Sequence, residues 1–283
     1  MYPFGHPFQH FSRLGSILDL TPFLPNFAFY SSIQMRKIAG YILTPIFYIF
    51  FALALLLFHP IQWISLKIGG YSAHKKSVDI LNFFLTMSNY ILFNRVKFID
   101  NPSLPLDRPI VFVANHQSTF DIPAMIYFLR RFHGKFISKI ELAKANIPSI
   151  SFNLNHGGAA NIDRKDSKQS ISEILKLANN MKQKRWSAFI FPEGTRTRTG
   201  KMKTFSVGGI ATLLKKNPDA LVVPIAIKGS YQMVSYGMFP LRPFTPLSWE
   251  VLPAIATEGL SVEEIVQQAE HAIREKVEGN SNI

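Results

Sequence analysis

The sequence predicts a layered α/β fold: one domain with a mostly parallel or mixed sheet, preceded by an N-terminal hydrophobic helical segment. Two observations carry this prediction. From about residue 108 onward, short apolar runs rich in β-branched and aromatic residues alternate with helical patterns, which is typical of α/β folds. Before that, residues 38–58 contain no charged side chain and span about 21 residues, or roughly 31 Å as a helix, close to the hydrocarbon thickness of a bilayer.

Composition limits the possible partners. The chain has 283 residues, enough for one substantial α/β domain and a smaller appendage, and its formal net charge is +13. A basic surface attracts anionic lipid headgroups, phosphorylated substrates or nucleic acid, or only aids solubility. The sequence contains no basic helix with interleaved aromatic residues, so we expect an anionic membrane surface and no nucleic acid. It also lacks cysteine, which excludes disulfides, zinc–thiolate sites and a cysteine nucleophile.

The N-terminal part divides into two predicted segments. Residues 1–37 are rich in Phe and Pro and are expected to be irregular, whereas residues 38–70 form a membrane-anchoring helix or helix hairpin. His59 and Pro60 interrupt the apolar pattern, which Gly69 and Gly70 end. The run starts too late and is too long for a cleaved signal peptide. Three interpretations remain: a single transmembrane helix, a hairpin that turns at Pro60 and enters one leaflet, and a buried core helix. Cations flank both ends of the run, so charge does not select an orientation.

Residues 71–283 are predicted to form the α/β domain, beginning with a helical stretch over 71–100. Predicted strands then cover residues 110–114, 135–138, 187–191, 221–227 and 249–252. Predicted helices cover residues 122–132, 167–182, 207–216 and 262–277. The last of these begins at a Ser261–Glu264 capping box.

A histidine and an aspartate lie where the first predicted strand passes into a helix. His116 and Asp121 follow the strand at 110–114, and a turn there can fold the carboxylate back toward the imidazole. A carboxylate bound to one ring nitrogen fixes the tautomer and leaves the other nitrogen as a general base. In a different interpretation, Asp121 merely caps the helix that starts at Ile122. The sequence lacks Gly-x-Ser-x-Gly, which favours a hydroxyl supplied by the substrate over a serine nucleophile.

A second motif, FPEGTR at residues 191–196, follows the predicted strand at 187–191. Pro and Gly favour a tight turn at the carboxyl edge of the sheet, where ligands of open α/β sheets bind. Arg196 can bind a phosphate through two parallel hydrogen bonds. Three more cations, Arg198, Lys201 and Lys203, either extend this phosphate site or form a solvated basic loop.

Together these motifs resemble the glycerolipid acyltransferases, in particular the 1-acylglycerol-3-phosphate acyltransferases of the PlsC type. NHQSTFD at residues 115–121 is similar to the His-x4-Asp block of that family, and FPEGTR matches a further block in the usual order. Between them, KIEL at 139–142 and GGAANIDR at 157–164 resemble the second block and its lead-in. VVPIA at 222–226 resembles the fourth block, so the resemblance covers about residues 75–255.

The resemblance implies a role for each motif residue. His116 would be the general base and Asp121 would orient it. The acceptor's glycerol phosphate would be bound by Glu193, Gly194, Thr195 and Arg196, with help from Arg164. Pro224 would shape the donor pocket or the fold. The family implies an acyl-CoA or acyl-carrier-protein donor, a lysophospholipid acceptor, and neither a metal nor a bound cofactor.

The expected activity is therefore acyl transfer to 1-acylglycerol-3-phosphate, with the protein at the inner or cytoplasmic membrane and its site facing the cytoplasm. One departure bears on the acceptor: Asn161 stands where the family usually has Phe or another bulky apolar residue. Another lysophospholipid or a lyso-ornithine lipid is thus an alternative acceptor. A thioesterase or lipase-like hydrolase and a non-enzymatic lipid-binding protein are the alternatives from other functional classes.

Overall fold

The computed structural model describes residues 24–101 and 103–279, and the strands of this part form a single sheet. The strands are β1 (Arg95–Ile99), β2 (Ile110–Ala114), β3 (Gly134–Lys139), β4 (Ala160–Ile162), β5 (Ser187–Ile190), β6 (Leu221–Lys228) and β7 (Pro246–Val251). Their order across the sheet is β1-β7-β6-β2-β5-β3-β4. Neighbouring strands are parallel except β6 and β7, which are antiparallel. The mostly parallel, mixed α/β sheet predicted from the sequence is confirmed.

Helices cover both faces of this sheet. They are α1 (Leu24–Met87), α2 (Asp121–Phe128), α3 (Ile140–Lys144), α4 (Ile150–His156), α5 (Ser167–Lys184), α6 (Gly208–Lys216), α7 (Ser230–Met233) and α8 (Val262–Glu278). All five residues of β2 are buried, because alternate side chains enter two different cores. Val111 and Val113 join the core beneath α5, α6 and α8. Phe112 and Ala114 join the core beneath α1 and α2.

The predicted elements differ from the observed ones mainly at their ends and at the edges of the sheet. Each of the five predicted strands corresponds to an observed strand, and the four predicted helices correspond to α2, α5, α6 and α8. Two strands were not predicted. β1 falls within the stretch 71–100 that was expected to be helical, an expectation that is wrong for residues 95–99, and β4 is only three residues long and too short to show a periodic pattern.

Helix α1 is a hairpin of two helical arms, residues 24–69 and 71–87, which meet at Gly70. Gly70 has φ 63° and ψ −161°, a conformation that favours glycine. The arms pack on each other through Leu55 and Leu85, and the rings of Phe58 and Phe84 lie 5.9 Å apart. The chain stays helical through Pro60, because a proline inside a helix removes one hydrogen bond and kinks the helix without having to reverse the chain.

These bounds correct two expectations for the N-terminal part. Residues 24–37 are helical rather than irregular, since no Gly or Pro follows residue 25 until Gly40; residues 1–23 lie outside the described residues. The hairpin also continues to Met87, past the boundary expected at residue 70. Its turn lies at Gly70 rather than at Pro60.

The first arm of the hairpin is attached to the α/β domain near its middle. Thr44 Oγ1 accepts a hydrogen bond from the Leu241 N–H at 2.9 Å, and the Tyr48 hydroxyl donates to the Met238 carbonyl at 2.6 Å. A side chain at Gly40 would collide with the Leu241 carbonyl, because a Cβ there would lie 2.5 Å from that oxygen. This close approach positions the first arm relative to the α/β domain.

The opposite side of the first arm exposes large apolar side chains along much of its length. They are Met35, Ile38, Tyr41, Ile42, Ile46, Ile49, Phe50, Leu53, Leu56, Leu57, Ile61, Trp63, Ile64 and Ile68, which we call the apolar stripe. By length and composition, the α1 segment is the one candidate membrane-crossing helix in the described part of the chain. Because the stripe is exposed, the first arm is not an ordinary core helix.

Candidate active site

The order of the strands brings the two predicted motifs together. β2 and β5 are parallel neighbours, and Val113 pairs with Ile190 in register. The residues that follow each strand therefore leave the sheet side by side at its carboxyl edge. His116 comes from one of these loops and the FPEGTR segment at 191–196 comes from the other, although they are separated by 77 positions in the chain.

His116 and Asp121 form a hydrogen-bonded pair. His116 Nδ1 lies 2.9 Å from Asp121 Oδ2. The same carboxylate oxygen accepts the backbone N–H of Gln117 at 2.7 Å and that of Ser118 at 2.9 Å. Asp121 is the first residue of α2 and is fully buried, and its carboxylate points back over the preceding turn. It therefore orients the histidine and does not cap the helix.

A set of buried residues from distant parts of the chain supports Asp121. The Ser230 hydroxyl hydrogen-bonds to Asp121 Oδ1, and the Trp249 indole N–H donates to the Asp121 carbonyl at 3.2 Å. Gln117 Oε1 accepts the Tyr231 N–H at 3.3 Å. No sequence motif points to Ser230 or Trp249, because neither lies near Asp121 in the chain and only the β6–α7 connection brings Ser230 to it. These contacts leave the carboxylate little freedom to rotate.

The imidazole of His116 is held on its other side by an aromatic ring. His116 stacks on Phe191 with the ring centroids 4.0 Å apart, and its side chain is 14% exposed. A carboxylate at Nδ1 makes Nδ1 the protonated nitrogen, so Nε2 carries the lone pair. No described residue forms a hydrogen bond with Nε2, and His116 lines a mainly apolar cavity. This nitrogen is therefore available to a bound substrate.

Ser118 is not placed as a nucleophile. Its side chain is 2% exposed, and its hydroxyl oxygen accepts the Phe120 N–H at 3.1 Å. The same oxygen lies 3.5 Å from Asp121 Oδ1. These contacts direct the hydroxyl toward the carboxylate and the backbone, whereas a serine nucleophile would have to face the imidazole.

Glu193 joins the two motif loops through backbone hydrogen bonds. Its Oε1 accepts the N–H of His116 at 2.8 Å, and its Oε2 accepts the N–H of Lys203 at 3.0 Å. Burial raises the pKa of Glu193, and these two donors oppose that shift. Both carboxylate oxygens are thus occupied by the protein. Glu193 therefore holds the two loops together, and its expected contact with the acceptor stays a prediction.

The rest of the FPEGTR segment forms a turn at the mouth of the cavity. Gly194 has φ 71°, and its N–H donates to the Phe191 carbonyl at 3.0 Å. Thr195 hydrogen-bonds to the Lys203 ammonium. Arg196 is exposed, and its Nη1 donates to the Thr119 hydroxyl at 2.5 Å. Because Thr119 lines the cavity, Arg196 lies at its rim.

A second arginine approaches the cavity from β4. Arg164 is exposed, lines the same cavity as His116, and makes no ion pair with a described residue. Lys139 also lines this cavity and forms a 3.2 Å ion pair with Glu141. Guanidinium and ammonium groups around one opening form a site for an anion such as a phosphate.

Two other motif residues lie away from the cavity. The Asn161 side chain donates to the Leu154 carbonyl at 2.8 Å and so ties β4 to α4. Pro224 lies inside β6, paired with Val113. Neither residue lines the cavity. Pro224 therefore contributes to the sheet, and Asn161 affects the cavity only through the packing of β4.

The cavity itself is long and mainly apolar. It has a volume of about 500 Å³ and runs from His116 along the edge of β3 and β5 to the two arms of α1. Its walls include Leu81, Phe136, Ile137, Ile174, Phe189 and Ile190. A cavity of this size and character suits an alkyl chain. Within the described residues, His, Asp and Glu form no group of three or more that could hold a metal ion.

Comparisons with known proteins agree with this site. The family model described as Acyltransferase matches residues 95–228, which include both motifs. The 1-acyl-sn-glycerol-3-phosphate acyltransferase alpha of Ovis aries is 31% identical over 192 residues, covering 67% of this chain and 64% of that protein. The chloroplastic enzyme LPAT1 of Arabidopsis thaliana is 33% identical over 131 residues, covering 46% of this chain and 35% of that protein. The chain thus matches less than two thirds of the length of either relative.

A solved structure has the same fold. The crystal structure of the 1-acyl-sn-glycerophosphate (LPA) acyltransferase PlsC from Thermotoga maritima superposes with a TM-score of 0.69 and 24% identity, covering 88% of this chain and 99% of that one. At this identity the superposition establishes the fold alone. Together with the family match and the curated relatives, the motifs show that this chain belongs to the glycerolipid acyltransferase family of the PlsC type.

Proposed function

We propose that the protein transfers a fatty acyl group from a thioester donor to the free hydroxyl of 1-acylglycerol-3-phosphate, which yields phosphatidate. The observation that carries this proposal is the His116–Asp121 pair, 2.9 Å apart, at one end of an apolar cavity. Beside the pair lie the cations Arg196, Arg164 and Lys139, which we call the cationic rim. The pair supplies a base, the rim suits a phosphate and the cavity suits an alkyl chain. The relatives named above are 1-acyl-sn-glycerol-3-phosphate acyltransferases, which supports this acceptor.

In the proposed mechanism the acceptor hydroxyl binds against His116 Nε2. The imidazole removes the hydroxyl proton as the oxygen attacks the thioester carbonyl, and the buried Asp121 carboxylate stabilises the imidazolium that forms. The tetrahedral intermediate collapses, the carbon–sulfur bond breaks and the thiol leaves with the proton from His116. No acyl-enzyme is needed, in agreement with the position of the Ser118 hydroxyl.

The phosphate of the acceptor would bind between Arg196 and Arg164. Both guanidinium groups are exposed, and they stand near the opening of the cavity that His116 lines. A dianionic phosphate would replace the contact of Arg196 with Thr119 by stronger, charge-assisted hydrogen bonds. The donor is acyl-CoA or acyl-carrier-protein, and the reaction uses neither a metal nor a bound cofactor.

We further propose that the α1 hairpin lies in one leaflet of the membrane. The contacts of Thr44 and Tyr48 with the α/β domain lie near the middle of the first arm. If that arm crossed the bilayer, these contacts would pull polar backbone of the domain into the hydrocarbon, where it has no partners. A hairpin that presents only the apolar stripe to the lipid avoids this cost. The site would then face the cytoplasm at the inner or cytoplasmic membrane, on the side of the soluble donors.

The test is an acyl-transfer assay with the purified full-length protein in lipid vesicles. Lysophosphatidate, other lysophospholipids and a lyso-ornithine lipid are each offered with acyl-CoA and with acyl-carrier-protein. We expect transfer to lysophosphatidate to be fastest. Faster transfer to another lysolipid would replace the proposed acceptor, and thioester hydrolysis that does not depend on any acceptor would identify a hydrolase instead.

A further inference from the structure

The end of the cavity away from His116 contains buried polar side chains that have no hydrogen-bond partner among the described residues. Gln62 and His74 are fully buried, and both line the cavity. Neither the amide atoms of Gln62 nor the ring nitrogens of His74 form a hydrogen bond, and the hydroxyl of the cavity-lining Tyr71 is also unpaired. We call this group, together with Lys135, the polar end of the cavity. Native proteins rarely leave buried polar atoms without partners, so such a cluster points to a missing ligand atom.

Lys135 supplies a buried amine to the same place. Its side chain lines the cavity, the residue is 9% exposed, and its ammonium lies 4.9 Å from the ring centre of Tyr71 and 4.7 Å from that of Trp186. None of the described carboxylates forms an ion pair with Lys135, and the nearby Asp79 is bound to Lys75 at 2.5 Å. Burial, reinforced by the charge of Lys75, lowers the pKa of Lys135 to about 7.

This arrangement is costly for a cavity that binds only plain alkyl chains. A hydrocarbon tail cannot accept or donate hydrogen bonds, so each unpaired group would stay desolvated when the chain binds. Apolar side chains of similar size would suit such a chain better. The polar end is thus explained by a ligand that brings its own polar atom to this position.

The sheet register places the polar end far from the reacting atoms. Lys135 pairs with Ala188, which lies three residues before Phe191, the ring that stacks on His116. Three residues of extended chain correspond to roughly 10 Å. The polar group therefore belongs on the part of the acyl chain remote from the ester or thioester.

We propose that the polar end is a subsite for a hydroxyl or keto oxygen on the acyl chain, remote from its carboxyl carbon. A hydroxyl both donates and accepts, and the subsite offers donors in Lys135, Tyr71 and Gln62 and acceptors in Gln62 and His74. The oxygenated chain is carried either by the thioester donor or by the lysolipid acceptor. The inference rests on the proposed acyl transfer.

The experiment is a competition between oxygenated and plain chains. In one arm, mixed micelles contain equal amounts of palmitoyl-CoA and a hydroxypalmitoyl-CoA, with the hydroxyl moved along the chain in a series. In the other arm the donor is palmitoyl-CoA, and the two acceptors carry these chains. We expect a preference of about tenfold or more for a distal hydroxyl in one arm, falling away at other positions. The arm with the preference identifies which chain the cavity binds. Equal use of plain and hydroxylated chains at every position in both arms would overturn the proposal.

Matched variants connect the preference to the polar end. In Gln62→Leu and His74→Phe, the ratio of hydroxylated to plain product should fall close to one. His59→Phe is the control: His59 also lies edge-on to Phe152, as His74 does, but it does not line the cavity, and its Nδ1 accepts the Ser149 N–H at 3.1 Å. The ratio should stay at the wild-type value in this control. An unchanged ratio in both cavity variants would contradict the assignment.

A binding measurement separates this proposal from the proposed function and needs no variant. Calorimetry compares hydroxypalmitate with palmitate on the wild-type protein, using the positional isomer that the competition favours, or the full series if no transfer occurs. Binding about tenfold tighter for a distal hydroxyl supports the subsite even if acyl transfer fails. Equal binding across the series overturns it even if transfer to lysophosphatidate succeeds.

Discussion

The backbone N–H of His116 donates to Glu193 Oε1 at 2.8 Å and so joins the two motif loops directly. The other oxygen of Glu193 accepts the Lys203 N–H. The basic segment, which contains Arg198, Lys201 and Lys203, is thereby attached to the same carboxylate. One carboxylate thereby sets the distance between the imidazole and the cationic rim. The two loops therefore form a single site, so a change in one loop should affect the position of the other.

Replacing His116 should remove catalysis without unfolding the protein. His116→Ala is expected to lower kcat by roughly a hundred- to ten-thousandfold, because the variant lacks the proposed general base. His271→Ala, on the exposed side of α8, is the control and should keep wild-type kcat. Thermal unfolding and vesicle binding should be unchanged in both variants. Near-normal transfer by His116→Ala would exclude its role as the base.

The residues that orient His116 should affect kcat more than KM. Asp121→Asn retains the shape of the side chain but favours the wrong imidazole tautomer, and we expect a loss on the order of a thousandfold in kcat. Ser230→Ala removes one hydrogen bond to Asp121 and should lower kcat by about tenfold. Steady-state kinetics with lysophosphatidate measures both effects. If Ser230→Ala changed KM and left kcat alone, Ser230 would not act through Asp121.

The phosphate assignment predicts a selective effect of Arg196. Arg196→Ala should raise KM for lysophosphatidate by about tenfold or more, because a charge-assisted hydrogen bond to the phosphate is lost. The same variant should use monoacylglycerol, which lacks the phosphate, as well as the wild type does. Arg198→Ala, in the same basic segment, is the matched control and should have the smaller effect on KM. An equal loss of activity with both acceptors would show that Arg196 does not bind the phosphate.

Lys135 should reduce the stability of the folded protein, and the reduction should depend on pH. Its pKa is about 7 in the folded state and close to the ordinary lysine value in the unfolded state. Below pH 7 Lys135 is protonated in both the folded and the unfolded state, so its destabilising effect on the free energy of unfolding does not change with pH. Between pH 7 and about 10 the unfolded state binds more protons, so stability rises with pH by on the order of 1 kcal/mol per pH unit.

The Lys135→Met variant tests this expectation. Its gain in unfolding free energy over wild type should be greatest at pH 6 and should shrink at pH 8 and 9, as measured by chemical denaturation. Lys184→Met is the control, because Lys184 packs over the same Trp186 ring but is exposed to solvent. A gain that does not vary with pH would mean that burial of the charge is not its cause.

The apolar stripe predicts which surface binds lipid. Leu57 is 64% exposed on the first arm, and Leu57→Glu should weaken binding to anionic lipid vesicles by at least about tenfold. Ile171→Glu is the matched control, because Ile171 is an apolar residue of α5 that is 50% exposed on the α/β domain. Vesicle flotation measures both variants. Equal losses would place the membrane contact elsewhere on the surface.

Local patterns were sufficient for the central elements and for the His116–Asp121 pair. The apolar run at 110–114 predicts β2 because a strand buried on both faces needs apolar side chains throughout. His116 and Asp121 are only five positions apart, so a single turn determines whether they meet, and they do meet. The N-terminal apolar helix was also predicted from its length, but the turn of the hairpin was expected at Pro60, whereas the helix continues through Pro60 and the chain reverses at Gly70.

Local patterns predicted five of the seven described strands, the four motif blocks and the apolar N-terminal helix, since each of these depends on neighbouring residues. Which groups meet across the sheet depends on the tertiary structure. The order β2-β5-β3 brings Glu193 to the His116 backbone, and β6 brings Ser230 to Asp121. The hairpin and β3 together enclose Gln62, His74 and Lys135 in one cavity. Strand order and helix docking are long-range properties, because they depend on how complete surfaces pack rather than on any local pattern.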